Sequence, residues 1–562
     1  MTPTPDSRFR RRRISAAVIA AGLVLAACGS GDDGDAGSTD TAAVETPPPA
    51  DDSTADTSQP GTDSPDGTTA ESSEAPAAER GEELVVANDT KPNSLNPTLT
   101  NSHPNQWSHM SLAYEPLVHL NTDLSISPGL AESWEFSNEN KTVTFTLREG
   151  LKFADGTPLT ATEAVASINY WIENSAQATT FAPSITSVTA ADDRTIVVEQ
   201  SQANPSILRV FSENFFGGSL ISPAGLADPA QLEEATFGAG PYVLDNDASV
   251  AGSSYVYVPS ENFYDPSMQH FNRVVVKIIP GGAPQLQALQ AGEVDLITLD
   301  GSTNAEAEGL GVPISQGAPA AVFGVVLADR DGEVNEAIAN PDVRRALMMA
   351  VDRAPVCNAT FGTAAVPTGN FPAIDAQDPA NDEVNAYDAE GARELLATAG
   401  YPDGFDLRFE MSASPPIFST LGQAVAGYWD DLGVNVEITT SPGISDSQTA
   451  QTNKEFETYI YGFGMLPAHL VANAFLDSNS PGPFNPWGTQ NAEIADLLAS
   501  APALAEDESI AEYQEAFAIA LDEGWVLNLC ELQNAFAASD DITGWQIEDA
   551  LLPPWVTMIE PA

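Results

Sequence analysis

Residues 340–353, NPDVRRALMMAVDR, form the segment around which the rest of the chain is interpreted. Asn340 is a residue type that caps helices, and Pro341 suits the first helical position. The apolar residues recur with helical spacing at Val343, Ala346, Leu347, Ala350 and Val351. This spacing predicts a helix with one buried face. The charged residues beside that face are expected to form a solvated rim: Arg344, Arg345, Asp352 and Arg353.

Length and charge limit the classes of protein to which the chain can belong. Its 562 residues are enough for two sizeable cores, and 80 acidic against 21 basic residues give a formal net charge of −59. Removal of residues 1–27 leaves 16 basic and 79 acidic residues, a net charge of −63. A surface this acidic lacks the positive field that nucleic acids and anionic lipid surfaces require, so we exclude nucleic acid as a partner.

The first 28 residues have the organisation of an export signal. Arg8 and residues 10–13 are basic, and residues 14–27 form an apolar run that is too short to span a membrane. Residues 25–28, LAAC, resemble a bacterial lipobox, in which Cys28 would be acylated and become the new N-terminus. An ordinary secretory peptide with a chance cysteine is the alternative, and the arginine run leaves the twin-arginine route open. We predict a signal peptide at residues 1–27.

The segment that follows Cys28 differs in composition from the rest of the chain. It consists mostly of Ser, Thr, Asp, Gly, Pro and Ala, which cannot bury enough apolar surface to offset the entropy of ordering. We predict that residues 28–81 form a lipidated, disordered, acidic linker. Such a linker would let a folded body reach a partner while the lipid stays in the bilayer.

Strand and helix patterns alternate from residue 82 onward. Val143, Phe145 and Leu147 alternate with threonines, which predicts a half-buried strand. Residues 272–280, NRVVVKIIP, have apolar residues on both parities, which predicts a strand buried on both faces. Helices that end at a glycine and lead into a strand recur, as at Gly433. This repetition predicts α/β lobes with largely parallel sheets.

Motifs along this body resemble, in the same order, those of the peptide/nickel-binding family of extracellular solute-binding proteins, family 5, which serve ABC importers. The longest match is residues 130–171, and the helix at 340–353 resembles the one that opens the family's second lobe. The other matching segments are 112–118, 237–244, 283–299, 387–407, 454–476 and 484–501. The resemblance implies an α/β, two-lobed type II periplasmic-binding-protein fold of cluster C, with an extra subdomain in lobe I.

The resemblance also implies domain limits, a function and partners. Lobe I would occupy residues 82–318 and lobe II residues 319–527, and residues 528–562 would return to lobe I. The protein would capture an oligopeptide or similar solute between the lobes and deliver it to a membrane permease and ATPase. We expect a monomer without a cofactor, lipid-anchored to the outer face of the bacterial cell membrane. A surface receptor or sensor without an importer, and an extracellular hydrolase, are the alternatives.

One segment departs from the family pattern. Peptide binders of the family commonly carry, within the region that residues 454–476 resemble, an aspartate that pairs with the α-amino group of the ligand. This chain has no carboxylate at the matching place, and offers instead Met465, Leu466, Pro467 and His469. Because a buried ammonium without a counter-charge costs several kcal/mol, this departure argues against a peptide with a free amine.

We expect aromatic and polar side chains to hold the ligand, in loops that the resemblance places at the cleft. The aromatic candidates are Trp107, Phe463 and Trp487, for which core packing is the alternative. The polar candidates are Asn101 and Ser102 in lobe I and Asn370 in lobe II, for which a role in turns is the alternative.

Motifs for catalysis and metal binding are missing from the sequence. It contains no G-x-S-x-G elbow, no phosphate loop and no paired-histidine zinc motif, so we predict no catalytic residue and no metal site. The resemblance makes Asp155 and Glu163 turn and cap residues. Cys357 and Cys530 either form a disulfide or remain as two buried thiols.

Overall fold

The computed structural model describes residues 80–100, 104–479, 481–547, 550–553 and 555–562. The predicted signal peptide, Cys28 and nearly all of the predicted linker lie outside these residues, as do the candidate ligand contacts Asn101 and Ser102.

Strands and helices alternate through the described residues. The strands are β1 (Leu84–Asn88), β2 (Val118–Leu120), β3 (Ile126–Pro128), β4 (Ala131–Ser137), β5 (Thr142–Leu147), β6 (Ile185–Ala190), β7 (Thr195–Gln200), β8 (Tyr242–Val250), β9 (Ser254–Pro259), β10 (Val274–Ile278), β11 (Leu296–Thr298), β12 (Ile314–Leu327), β13 (Ala365–Pro367), β14 (Asp406–Ser412), β15 (Asn435–Ser441), β16 (Thr458–Gly464), β17 (Val526–Ala538), β18 (Ile542–Thr543) and β19 (Glu560–Pro561). The helices are α1 (Pro104–Ala113), α2 (Ala161–Asn174), α3 (Ala176–Phe181), α4 (Pro223–Ala227), α5 (Ala283–Gln290), α6 (Gly301–Leu310), α7 (Glu336–Ala339), α8 (Pro341–Met349), α9 (Arg353–Phe361), α10 (Ala389–Thr398), α11 (Pro416–Leu432), α12 (Ile444–Thr452), α13 (Ala468–Phe475), α14 (Ala492–Ser500) and α15 (Glu506–Asp522).

One long sheet connects the two lobes. Its strand order is β15-β14-β16-β12-β17-β11-β1-β10-β9-β8, and β13 adds to β17. The pairs β1–β10, β1–β11, β14–β15 and β14–β16 are parallel, whereas the other described pairs in this sheet are antiparallel. The prediction of largely parallel sheets is therefore wrong, because β12 and β17 run antiparallel through the middle and β8, β9 and β10 follow one another without a crossover helix.

Strands β12 and β17 pass from one lobe to the other. We define lobe I by β1 and β8 to β11, and lobe II by β14 to β16. The second half of β12 pairs with β16 in lobe II, whereas the end of β17 pairs with β11 in lobe I. The register between β12 and β17 shifts between Gly317 and Ala321 and again after Phe323. Such irregularities bend a strand pair, and these lie near the predicted limit between the lobes at residues 318 and 319, where we propose that the hinge lies.

A separate four-stranded antiparallel sheet, β4-β5-β7-β6, forms the extra subdomain of lobe I. The alternation that predicted a strand at β5 is confirmed, since Val143, Phe145 and Leu147 are buried and the threonines between them are half-buried. The expectation that Glu163 is a cap residue is confirmed at the start of helix α2. The Thr160 side chain caps the helix and the Glu163 carboxylate accepts a hydrogen bond from the Thr160 backbone at 3.0 Å.

The helix that opens lobe II begins as predicted and ends earlier. Asn340 caps α8 by accepting a hydrogen bond from the Asp342 backbone, but α8 ends at Met349 and α9 begins at Arg353. The expectation that Arg344 lies on a solvated rim is wrong. Its guanidinium is buried and donates to the carbonyl oxygens of Ile338, Ala339 and Glu523 at 2.7–3.0 Å.

Cys357 and Cys530 form a disulfide, which decides between the two possibilities that the sequence left open. The bridge joins α9 to β17 across 173 residues of sequence, within the apolar core of lobe II. It therefore fixes the second interlobe strand to the helical layer of lobe II.

Candidate functional site

A buried ion pair lies where the two lobes contact each other. Arg209 belongs to the 3₁₀ turn Pro205–Phe211 of lobe I, and Asp375 belongs to a loop of lobe II. The Arg209 Nη1 atom lies 2.8 Å from Asp375 Oδ2, and both side chains are less than one-tenth exposed. Arg209 Nη2 lies 3.6 Å from a carboxylate oxygen of Glu506 at the start of α15. These contacts bring opposite charges together where the two lobes meet.

Asp375 also lies against the loop at residues 465–469, which has no carboxylate of its own. Its Oδ1 atom accepts a hydrogen bond from the Ala468 backbone N–H at 2.7 Å. The neighbouring Ile374 N–H donates to the Leu466 carbonyl at 2.9 Å. A carboxylate therefore does reach this loop from another part of the chain. Sequence reasoning missed it because Asp375 comes from a segment distant in sequence.

An apolar seam continues the contact between the lobes. Leu120 of lobe I, Ile374 of lobe II and Leu552 of the C-terminal segment are buried together, and Met465 packs against them. Leu466 and Leu470 of lobe II pack in the same way on the core of the extra subdomain. Met465 thus fills space between the lobes with an apolar side chain.

A cavity of about 480 Å³ lies between the extra subdomain and lobe II. Lobe I supplies Phe181, Gln202 and Ser206, and lobe II supplies the α13 side chains His469 and Asn473 among others. Sites for small molecules in proteins measure roughly 300–1,000 Å³. The cavity is therefore large enough for a small organic solute, and a solute bound there would contact both lobes.

His469 is the titratable ring in the wall of this cavity. Burial and, to a smaller extent, the nearby positive charge of Arg209 together lower its pKa from the ordinary value to about 3. The imidazole is therefore neutral at physiological pH, with one nitrogen that donates and one that accepts. Asn473 lies four residues later on α13, so both side chains face the same side of the helix.

The structure places the four described candidate residues in packed surroundings. Phe463 and Trp487 lie in one apolar cluster of lobe II, where Phe463 contacts Phe475 and Phe484 edge-on. Asn370 is buried, and its Oδ1 atom accepts hydrogen bonds from the Asp378 backbone and the Asn381 side chain, both at 2.9 Å.

Trp107 lies away from these three residues, in α1 of lobe I. It packs against the core there and meets Trp555 edge-on with ring centroids 5.0 Å apart. None of the residues recorded in the wall of the 480 Å³ cavity is one of these four. Their role as ligand contacts stays a prediction. The residues that do line the cavity carry no sequence signal beyond ordinary loop and helix composition.

The part of the chain that the structure describes offers neither a metal-binding cluster nor a membrane-spanning helix. Within it, no group of three or more His, Cys, Asp and Glu side chains is arranged to hold a metal ion. No helix there is both long enough and apolar enough to cross a bilayer.

Comparisons with known proteins point to one family. The family described as "Bacterial extracellular solute-binding proteins, family 5 Middle" matches residues 125–481. The probable D,D-dipeptide-binding periplasmic protein DdpA of Escherichia coli K12 is 25% identical over 481 residues, which cover 82% of this chain and 91% of DdpA. Heme-binding protein A of Haemophilus influenzae is 27% identical over 450 residues, 71% of this chain and 78% of that protein. The structure of HbpA2 from Haemophilus parasuis has the same fold, with a TM-score of 0.76 at 21% identity, and the likeness covers 86% of this chain and 100% of HbpA2.

Proposed function

Because the chain belongs to family 5 of the bacterial extracellular solute-binding proteins, we propose that it captures an oligopeptide or similar polar solute between its lobes and delivers it to a membrane permease. Family membership establishes the coarser function, a binding protein of an ABC importer rather than an enzyme. The two-lobed type II periplasmic-binding-protein fold predicted from the sequence is likewise confirmed.

The observation that carries the proposal is the 480 Å³ cavity with walls from both lobes. A solute that contacts both lobes binds the closed arrangement more tightly than the open one, so it shifts the population toward the closed state. The pair of Arg209 and Asp375 also forms across the contact between the lobes, where the attraction between the two charges at 2.8 Å offsets the cost of removing their water. Closure would present the permease with a surface that an empty, open protein lacks.

Two observations bear on the chemical nature of the solute: the solutes for which relatives are named, and the residues that line the cavity. DdpA is named for a dipeptide and Heme-binding protein A for heme, so relatives at similar identity bind different solutes. The cavity itself combines side-chain amides, hydroxyl groups and apolar side chains, which suits a small polar organic molecule.

We further propose that the protein is a monomer anchored to the outer face of the cell membrane through acylated Cys28. The LAAC sequence at residues 25–28 supports this, together with the acidic, polar segment that separates it from the folded lobes. Labelling of growing cells with an alkyne fatty acid tests the anchor. We expect label in the wild-type chain and none in Cys28→Ala, which should appear in the soluble fraction; label in both would contradict the proposal.

Native mass spectrometry of the full-length protein in detergent tests the binding function. We expect a mass excess that corresponds to a small co-purified solute and disappears on unfolding. Uptake of that solute should also fail in cells that lack the protein. A solute that binds but is taken up equally well without the protein would point to a receptor instead of an importer component.

A further inference from the structure

The lobe I sheet is covered by helices on both faces, and alternate residues of β17 define the two faces. Phe536 and Ala538 pack into the core that includes α1, whereas Ala535 and Ala537 pack into the core that includes α5 and α6. We call these the α1 face and the α6 face. Strands β12 and β17 continue from this sheet into lobe II. A rotation of lobe II about these strands therefore separates the lobes on one face while it brings them together on the other.

The apolar seam between the lobes lies on the α1 face. Trp555 packs edge-on against Trp107 of α1, and its indole nitrogen donates to the Leu120 carbonyl at 3.0 Å. Leu120 in turn meets Ile374 of lobe II in the seam. The next residue, Asp375, forms the buried ion pair with lobe I. Opening of the protein must break these contacts.

A second contact between the lobes lies on the α6 face. Gln316 of β12 pairs with Ala535 of β17, so the two side chains point to the same face. The Gln316 Oε1 atom accepts a hydrogen bond from the Asn304 side chain of α6 at 2.6 Å, and its Nε2 atom donates to the Thr363 carbonyl of lobe II at 2.6 Å. The Asn304 amide also donates to the Thr363 hydroxyl at 3.2 Å. Gln316 therefore fills the space between α6 and lobe II.

The two lobes approach each other most tightly here at Gly301, the first residue of α6. A Cβ atom at Gly301 would lie 2.8 Å from the carbonyl oxygen of Phe361 and 3.4 Å from the Cβ of Ala364, both in lobe II. A Cβ at Gly309, near the other end of the same helix, would meet no atom of the described residues within 4 Å. The close fit at Gly301 is therefore a property of the interlobe contact and not of α6 as a whole.

From these contacts we infer that α6 and residues 361–364 form a stop that limits how far the lobes open. Separation of the lobes at Ile374 and Asp375 brings them together on the α6 face, where Gly301 and Gln316 leave little space. The stop sets the population of the open form, and with it the apparent affinity for any solute that binds the closed form. The inference goes beyond the proposed function, because it concerns the movement of the lobes and holds for any solute.

Double electron–electron resonance between two spin labels measures the opening. The labels are placed at Ala190→Cys in the extra subdomain and Ala492→Cys on α14, both exposed. The full-length chain carries Cys28→Ala, and its other two native cysteines are bonded to each other, so only the engineered thiols react. Distances are recorded without added solute, in this background and with Asp375→Asn, which should open the lobes.

A matched pair of glycine variants tests the stop. Gly301→Val fills the contact and should remove the longest label distances in the Asp375→Asn background, because the lobes can no longer approach each other on the α6 face. Gly309→Val makes the same change in the same helix and should leave the distances unchanged. Identical distance distributions for the two variants would overturn the inference.

Gln316→Ala tests the stop without adding atoms, which covers the case in which Gly301→Val does not fold. It leaves a gap between α6 and Thr363, so the lobes should open further and the longest distances should increase. Gln287→Ala, at an exposed residue of α5, is the control. Distances that are the same for the two glutamine variants would contradict the stop. They would leave the proposed function intact, because solute capture is tested separately by native mass spectrometry.

Discussion

The guanidinium of Arg209 and the carboxylate of Asp375 meet at 2.8 Å across the contact between the two lobes, and both side chains are almost fully buried. Both side chains are shielded from water in this arrangement, and among the described residues the charged partners of each lie on the other lobe. The pair therefore couples the position of the lobes to the burial of charge.

Removal of one partner should open the protein. A buried ion pair that loses one member costs about 3–5 kcal/mol if the remaining charge stays buried. Because the lobes can separate and hydrate that charge, we expect Asp375→Asn and Arg209→Met to increase the radius of gyration measured by small-angle X-ray scattering. The double variant Arg209→Met with Asp375→Leu should restore the compact form, because neither charge is then left buried without its partner.

Arg194→Met provides the control for this prediction. Arg194 pairs with Glu132 at the surface of the extra subdomain, with both side chains more than one-third exposed. Such a pair contributes little to stability, so the scattering should not change. Equal radii of gyration for Arg209→Met and the wild type would show that the interlobe pair does not hold the lobes together.

The disulfide between Cys357 and Cys530 should stabilise lobe II. It closes a loop of 173 residues in sequence, which restricts the unfolded chain. Replacement of both cysteines by alanine should lower the free energy of unfolding by about 2–5 kcal/mol in denaturant titrations. A reducing agent should destabilise the wild type but not the double variant. A wild type that is indifferent to reduction would contradict this role.

His119 should make stability depend on pH. Its ring lies between the buried carboxylates of Glu115 and Glu213, and Glu115 also accepts a hydrogen bond from Tyr264 at 2.7 Å. Burial alone would lower the pKa of His119, but the two carboxylates outweigh it and raise the pKa well above its ordinary value. This stabilisation is fully present below the ordinary histidine pKa of about 6.5 and is lost as the pH rises through the folded-state value.

Thermal unfolding between pH 6 and pH 9 measures that contribution. We expect His119→Gln to lower the midpoint most at pH 6 and to flatten the decline toward alkaline pH. His270→Gln is the matched control, because the one carboxylate recorded beside His270 is that of Glu560, which is exposed and lies at the longer distance of 3.8 Å. Parallel pH curves for the wild type and His119→Gln would contradict the assignment.

Two neighbouring arginines should differ sharply in their effect on stability. Arg344 is buried and donates to three backbone carbonyl groups, so loss of these hydrogen bonds in Arg344→Met should cost about 2–4 kcal/mol in free energy of unfolding. Arg345 is partly exposed and pairs with Asp342 and Asp522, so Arg345→Met should cost less than about 1 kcal/mol. Similar losses for the two variants would show that Arg344 acts only as a surface charge.

Local patterns in the sequence predicted the separate elements of the fold well. The cap roles of Glu163 and Asn340 are confirmed, because the interactions that form these caps involve residues only two or three positions away. The strand β10, buried at Val274 through Val276, follows from its unbroken apolar run. The relative direction of neighbouring strands was predicted wrongly, because it depends on how strands that are distant in sequence, such as β12 and β17, pair with each other.

The sequence by itself determined several separate helices and strands through periodicity and caps, and it determined the family and the two-lobed fold through the resemblance of its ordered motifs to family 5. Only the tertiary structure decided that Arg344 is buried, that the two cysteines are bonded, and that Arg209 and Asp375 neutralise each other. These properties arise from contacts between residues far apart in the chain, where a side chain's charge and burial are set by its neighbours in space. The character of the interlobe cavity was hidden from the sequence for the same reason.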